Sequence, residues 1–295
     1  MRWADSFIAV DWGTTNRRAY RVDGSGHCAD EFEDSKGVLA VGDKGFPAAV
    51  QEIRDRLGDL PLLMAGMVGS NRGWVEAPYV PCPAGLDELA AKLAKAGERE
   101  FIVPGVSYSA PDRADVMRGE EVQLLGAVAT GQVEHEGFVC HPGTHNKWCV
   151  LHQARLHNFQ TVMTGELFSL LKAHSILADL LSAPVEVNDA FRAGVTKGLG
   201  EEALPADLFE IRARFLLGKA KKEDAASFAS GLLIGTDVRI GLAIPAAAEV
   251  MVMGRPELTK LYAAAIGIAG RTAIEIDGEK SFLAGITEIA KRIDK

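Results

Sequence analysis

Two short stretches, Asp11-Trp12-Gly13-Thr14-Thr15 and Pro142-Gly143-Thr144-His145, hold residue types that can do chemistry. A glycine turn at the end of a buried strand aims backbone N–H groups at an anion, and threonine hydroxyls add donors beside them. A carboxylate at the same place, Asp11, is a hard oxygen ligand for magnesium, directly or through water. Together the two turns are read as a clamp on a phosphate chain, with Gly13, Thr14 and Thr15 on one side and Gly143 and Thr144 on the other. Either turn alone is also explained as an ordinary hairpin connection, and it is the recurrence that carries weight. A third position, Gly254, follows the apolar run Glu249-Val250-Met251-Val252-Met253 and precedes a helical pattern containing Leu258 and Tyr262. There a flat ring such as adenine could lie against the backbone, although plain helix-on-strand packing explains the glycine equally well.

The elements that must position these residues follow from hydrophobic periodicity. Residues 7–11, 17–22 and 27–33 read as three successive strands, and 137–141, 147–151 and 156–161 as three more. Strands are also expected at 61–65, 100–103, 249–253 and 272–276. The spacing predicts helices over 46–57, 86–96, 120–130, 164–181, 188–198, 206–218, 223–242, 256–269 and 279–293. Residues 104–119, with their Pro and Gly, read as a long polar connection. The three-strand opening thus occurs twice, each time running into a Gly-Thr turn, which indicates two similar α/β domains divided at 118/119.

Bulk properties agree with such a chain. Its 295 residues favour two domains, and 47% hydrophobic content suffices for a sizeable core. A formal charge of −8 argues against a nucleic-acid partner, which calls for a basic face. The four cysteines, Cys28, Cys82, Cys140 and Cys149, form no C-x-x-C pair and read as reduced thiols. No secretory leader precedes Asp11, and no apolar run approaches the ~20 residues needed to cross a bilayer. The stretch 231–245 is broken by Gly, Asp and Arg. The expectation is a cytoplasmic protein with no membrane partner. His141 and His145 lie four apart, but Pro142 and Gly143 between them break the helix that a two-histidine metal motif needs. Glu166 opens a predicted helix and reads as a cap, and Lys147 as a phosphate-reaching or an exposed lysine.

The order and spacing of these elements resemble the sugar kinase, Hsp70 and actin superfamily. More closely, the chain resembles the 2-dehydro-3-deoxygalactonokinase family. The likeness rests on DWGTTNRRAYRV (11–22), AGMVGSNRGWVEAPYVP (65–81), VMRGEEVQLLGA (116–127), HPGTHNKW (141–148), TVMTGELFSLL (161–171) and SGLLIG (230–235). Val122 stands where threonine is expected, and Asn146 where serine or cysteine is usual.

The resemblance implies two actin-like (ribonuclease H-like) domains with the active site in the cleft between them. Residues 1–118 would form the substrate side and 119–295 the nucleotide side. The implied reaction moves the γ-phosphoryl group of ATP, with Mg2+, onto the terminal hydroxyl of 2-dehydro-3-deoxy-D-galactonate. A hydroxyl nucleophile gains from a carboxylate that takes its proton, and superfamily kinases often place one at the helix start corresponding to Glu120. Glu121 is the second choice, since neighbours on a helix point about 100° apart and one of the two faces the substrate; dipole compensation at the helix N-terminus is the structural alternative. A sugar acid needs a cation and hydrogen-bonding neighbours. Arg118 and Arg18 offer the guanidinium fork, and Ser70, Asn71, Trp74 and Tyr79 offer polar groups and flat walls. Core packing accounts for Trp74 and Tyr79 as well, and solvent exposure for Arg18. A homodimer stays open. So do a kinase acting on another 2-keto-3-deoxy acid or on pantothenate, and an actin-like nucleotide-dependent regulator or filament protein; the C4 preference of the substrate is not legible.

Overall fold

The computed structural model describes residue 3 and residues 5–42, 45–200 and 203–293. The chain divides into two compact units: Met1–His135 with Leu151–Asn158 and Gly278–Lys295, and Glu136–Val150 with Phe159–Asp277.

In the first unit, the apolar run Phe7-Ile8-Ala9-Val10 makes β1 (Ser6–Trp12) a strand buried on both faces. β2 (Arg17–Asp23) pairs antiparallel with it, Asp11 opposite Arg18, and β3 (Cys28–Asp34) continues the meander. After the single turn α1 (Val38–Val41), helix α2 (Phe46–Leu57) buries Phe46, Ala49, Val50, Ile53 and Leu57. That i, i+3, i+4, i+7 stripe is what an amphipathic helix on a sheet requires. β4 (Leu62–Gly66) then pairs parallel with β1. The short β5 (Tyr79–Pro81), α3 (Leu86–Ala90), β6 (Ala94–Lys95) and β7 (Glu100–Ile102) follow, giving the sheet order β3-β2-β1-β4-β7-β6.

Two expectations are corrected here. The helix predicted over 86–96 ends at Ala90, because Ala94 and Lys95 pair with Ile102 and Phe101 as an edge strand. The polar connection over 104–119 is a hairpin, β8 (Gly105–Ala110) and β9 (Arg113–Met117), which joins β5 in a three-stranded sheet. Its alternating Val106, Tyr108 and Asp115, Met117 pattern was masked by Pro111-Asp112, which is turn chemistry between strands. Helix α4 (Glu120–Ala129) is as predicted and packs on the C-terminal helix Gly278–Ile293.

A second, five-stranded sheet repeats the first sheet's core. β10 (Gly137–His141), β11 (Asn146–His152) and β12 (Arg155–Val162) lead into α5 (Thr164–His174), α6 (Asp189–Leu199), α7 (Leu204–Leu216) and α8 (Ala225–Leu242). β13 (Glu249–Gly254), α9 (Pro256–Ile268) and β14 (Thr272–Asp277) complete the order β12-β11-β10-β13-β14. β10, β13 and β14 are parallel, as β1, β4 and β7 are. This duplicated three-two-one-four order is the repeat that the sequence showed, and it agrees with the actin-like fold that the family resemblance implied. The helix expected to reach residue 181 stops at His174. Ser175 is extended, its hydroxyl bonded to the Leu171 carbonyl at 2.6 Å, and Leu177, Leu180 and Leu181 turn into a separate apolar cluster.

α4 and the C-terminal helix cross with backbones in contact. A Cβ on Gly126 would fall on the Ser281 carbonyl, and one on Gly285 on the Val122 carbonyl. In an exposed helix, glycine to alanine gains about 1 kcal/mol of propensity. Here overpacking of about 1–3 kcal/mol or more outweighs that gain. Gly126→Ala should therefore lower the melting temperature by several degrees, measured by thermal unfolding, while the control Gly131→Ala, whose Cβ position is open but whose φ is +70°, loses stability through backbone strain alone.

Candidate functional site

The first unit's site grows from the C-terminal ends of two parallel strands, where Asp11 lies beside Ala65 and Trp12 beside Gly66. In open α/β sheets that edge is where ligands bind. Residues 13–16 turn the chain back into β2, with the Gly13 N–H donating to the Asn16 carbonyl at 2.9 Å. The turn's carbonyls point to α1: those of Gly13, Thr15 and Thr14 accept from Val38, Gly37 and Leu39 N–H at 3.0, 3.0 and 3.3 Å. Gly37 has to be glycine, since a Cβ there would overlap the Thr15 peptide. Thr14 and Thr15 are left exposed on the other side. The wholly buried Arg17 anchors the turn's exit, with Nε and Nη2 bonded to Asp34 at 3.0 Å and Nη1 to the Ala49 carbonyl at 3.1 Å. Its three satisfied directions are what allow a guanidinium to be buried at all.

The start of α4 reaches the same edge. Gly66 and Gly119 have φ of +94° and +111°, values that favour glycine, and a Cβ on Gly119 would lie 3.2 Å from the Gly66 Cα. A Cβ on Gly66 would in turn sit 2.8 Å from the Trp12 carbonyl and 3.5 Å from Asp11 Oδ1. Asp11 and the segment Arg118–Glu121 are thus brought together through two glycine backbones. Glu121 is 0% exposed, and its two oxygens accept from the Gly119 N–H at 2.7 and 2.9 Å. Burial pushes its carboxyl up to about 8, with the neighbouring Glu120 charge adding to the rise and backbone N–H groups and Arg118 opposing it. Glu120 is partly exposed, one oxygen accepting from the Arg118 N–H at 3.2 Å.

Arg118 is half-buried, stacked 4.5 Å over the Tyr79 ring, with Nη2 donating to the Ala77 carbonyl at 2.8 Å. Its Nε and Nη1 are buried without a hydrogen-bond partner among the described residues. Gly69 makes the room, since a Cβ there would stand 2.9 Å from Nη1. Arg18 is placed differently, in ion pairs with Glu33 at 3.0 Å and Glu279 at 3.8 Å. Ser70 bonds the Met67 carbonyl at 2.7 Å and accepts from the Arg72 N–H, holding a turn on which Asn71 is exposed. Trp74 stacks on Phe46 at 6.1 Å and packs against the core, whereas Tyr79 is 41% exposed.

The second unit arranges its turn alike. The Thr144 carbonyl accepts from the Glu166 N–H at 2.9 Å, and the Gly143 carbonyl is 2.5 Å from where a Cβ on Gly165 would stand. Thr144 is exposed and nothing stands within 4 Å of a Cβ on Gly143. The Glu166 side chain bonds His145 at 2.5 Å, and no side chain caps α5, so the expected cap is instead a partner of the turn. Lys147 is buried, its ammonium donating to the His145 carbonyl at 3.3 Å. Gly254, at the end of β13, comes close to the turn as well, since its Cβ would lie 3.3 Å from the Pro142 carbonyl.

Arg17, Gly37, Gly165 and Asp237 were not singled out from the sequence. Asp237 had a signal, as a lone carboxylate in the apolar run Gly231-Leu-Leu-Ile-Gly-Thr-Asp-Val-Arg-Ile. Among the described residues, no cluster of three or more His, Cys, Asp or Glu side chains could cage a metal. A single exposed-edge carboxylate such as Asp11 fits magnesium held largely by phosphate and water, which is how that ion is usually bound in phosphoryl-transfer sites.

Residues 11–289 match the 2-keto-3-deoxy-galactonokinase family. The chain is similar to the 2-dehydro-3-deoxygalactonokinase of Escherichia coli strain K12, with 37% identity over 290 residues, 97% of this chain and 98% of that one. A crystal structure from Sinorhizobium meliloti that carries the same kinase name provisionally is 32% identical, with a TM-score of 0.91 over 97% of this chain and 99% of that one. Component A of the Acidaminococcus fermentans (R)-2-hydroxyglutaryl-CoA dehydratase, at 12% identity and a TM-score of 0.57, covers 99% of this chain and 100% of its own, a likeness of fold alone.

The buried Glu121 has a consequence for stability. Its folded-state value of about 8 lies above the ordinary 4.5, so the folded chain holds a proton that the unfolded chain releases across that window. Stability from this group is full below about pH 4.5 and is lost as pH rises through about 8. Thermal melts from pH 5 to 9 should show wild type losing stability toward pH 8, and Glu121→Gln should flatten that slope.

Proposed function

The chain belongs to the 2-keto-3-deoxy-galactonokinase family, and we propose that it transfers the γ-phosphoryl group of ATP to the terminal hydroxyl of 2-dehydro-3-deoxy-D-galactonate, forming the 6-phosphate in galactonate breakdown. The observation that carries this reading is the duplicated Gly-Thr turn. In the first unit three of the turn's carbonyls accept from N–H groups at the start of α1, in the second the Thr144 carbonyl accepts from Glu166 N–H in α5, and in both the threonines are exposed. With these carbonyls committed, the exposed threonine hydroxyls are what the turns offer a ligand, donors of the kind a phosphate chain requires.

In this mechanism Gly13, Thr14, Thr15, Gly143, Thr144 and Gly254 are the nucleotide-binding residues, the Gly-Thr turns taking its phosphates. Asp11 supplies the hard oxygen for magnesium, which when bound neutralises charge on the phosphates. Arg118 is the better partner for the acid's carboxylate, since two of its nitrogens lack protein acceptors while Arg18 already faces two glutamates. Ser70, Asn71 and Tyr79 line the acid's hydroxyls, with Trp74 as the wall behind them. Glu120 takes the proton of the attacking hydroxyl. Glu121 is wholly buried and engaged with the Gly119 N–H, which favours a supporting role at the helix start. A kinase of this kind works where ATP is, in the cytoplasm; no helix among the described residues is long and apolar enough to cross a membrane.

The test is ADP release from purified protein with Mg-ATP and, in parallel, the galactonate-derived acid, its gluconate epimer and pantothenate. Release should depend on the galactonate compound, and Glu120→Gln should lower kcat by about 10²–10⁴-fold. Unchanged turnover in that variant would move the base to Glu121, and no release with any acid would sink the kinase reading. Arg118→Ala should raise KM for the acid while leaving KM for ATP in place, the split expected when a contact to one substrate is removed.

A further inference from the structure

Asp237 lies in α8, which is buried along most of its length. Its carboxylate is buried and gathers side-chain donors from three other elements. Asn146 Nδ2 reaches both oxygens at 2.9 and 3.0 Å, and Trp148 Nε1 donates to Oδ1 at 2.7 Å. The hydroxyls of Thr164 and Tyr262 each donate to Oδ2 at 2.5 Å. Asn146 Nδ2 and Trp148 Nε1 can only donate to it and the two hydroxyls donate as well, so every contact satisfies the carboxylate as an acceptor.

The positions of these partners matter more than their number. Asn146 opens β11 two residues after Thr144. Thr164 is the first residue of α5, directly before Gly165 and Glu166, which hold the turn from behind. Tyr262 lies in α9, the helix entered from Gly254. One side chain therefore ties together β11, which follows the Gly143-Thr144 turn, α5, which holds that turn from behind, and α9, which follows Gly254. Stability alone does not call for a charge here, since apolar groups of matching shape fill a core as well or better. With four donors already buried around it, loss of the acceptor would leave them unpaired.

We propose that Asp237 is the positioning residue of the nucleotide half: it does not touch ATP, but locks the 142–145 turn, the start of α5 and the body of α9 in the one arrangement that receives it. The inference rests on the second unit being the nucleotide side. It assigns asparagine at position 146 a purpose, because its amide spans both carboxylate oxygens while its backbone continues directly from the turn.

The experiment compares wild type, Asp237→Asn, Tyr262→Phe and Thr144→Ala by steady-state kinetics, with calorimetric ADP binding and thermal melts alongside. Asp237→Asn should raise KM for ATP and the dissociation constant of ADP by about tenfold or more, with KM for the sugar acid within about twofold of wild type. Tyr262→Phe, which removes one hydroxyl and opens no cavity, should shift the same two quantities by a smaller factor. The double variant should cost less than the product of the two, since both act through one carboxylate. A folded Asp237→Asn protein with a lower melting temperature but unchanged KM for ATP would overturn the proposal, as would equal rises in both KM values. Should Asp237→Asn not fold, Tyr262→Phe decides by the same criterion. Thr144→Ala separates the two layers of argument. If it weakens ATP while the Asp237 and Tyr262 variants do not, positioning fails alone. If none of the three affects ATP, the nucleotide reading of this unit fails and the proposal with it.

Discussion

The structure depends on how the orphan N–H groups at helix starts find acceptors. The first turn of any helix leaves N–H groups without partners inside the helix, and buried backbone groups have to be paired. In the first unit the carbonyls of Gly13, Thr14 and Thr15 are those acceptors for Gly37, Val38 and Leu39. In the second, Thr144 plays the part for Glu166. Each strand-end turn is therefore fastened from behind, with its threonines left exposed on the other side. Parallel pairing of β1 with β4 and of β10 with β13 places those turns at the carboxyl ends of the strands. Asp11, Gly66 and Gly254 stand at the same ends.

Two buried carboxyls show how environment divides chemically identical groups. Glu121 has backbone donors and a like charge one residue away, and burial drives its carboxyl up to about 8. Asp237 is also pushed upward by burial, but four side-chain donors pull against it, led by Thr164 and Trp148. The first is a proton-holding element beside the Gly66 and Gly119 backbones. The second is a fixed acceptor that orders its surroundings. Neither side chain is exposed.

The kinase reading draws on complementary deficits. Phosphates bring negative charge and many acceptors, and the two turns present donors. A sugar acid brings a carboxylate, and Arg118 is a cation held by Tyr79 and Ala77 with two nitrogens left unmatched. An unpaired buried guanidinium nitrogen costs stability, and a bound anion repays that cost only when it is present.

Much of the fold was written in the sequence by local patterning. Runs such as Phe7–Val10 and Leu62–Ala65, the stripe of α2 and the second strand triplet at 137–161 need only nearest-neighbour physics, so the elements and their duplication were readable. The Gly-Thr turns were readable as well, because a tight turn restricts residue type at fixed spacing. Tertiary structure alone decided the rest. The edge strand at Ala94–Lys95 exists because Phe101 and Ile102 lie beside it, against a helical pattern in the chain. The last helix joins the first unit because glycines 126 and 285, 159 positions apart, let two backbones touch. Arg17, Arg118 and Asp237 acquired their roles from partners dozens of residues away, and a charge in a sequence does not say whether water or a buried network will satisfy it.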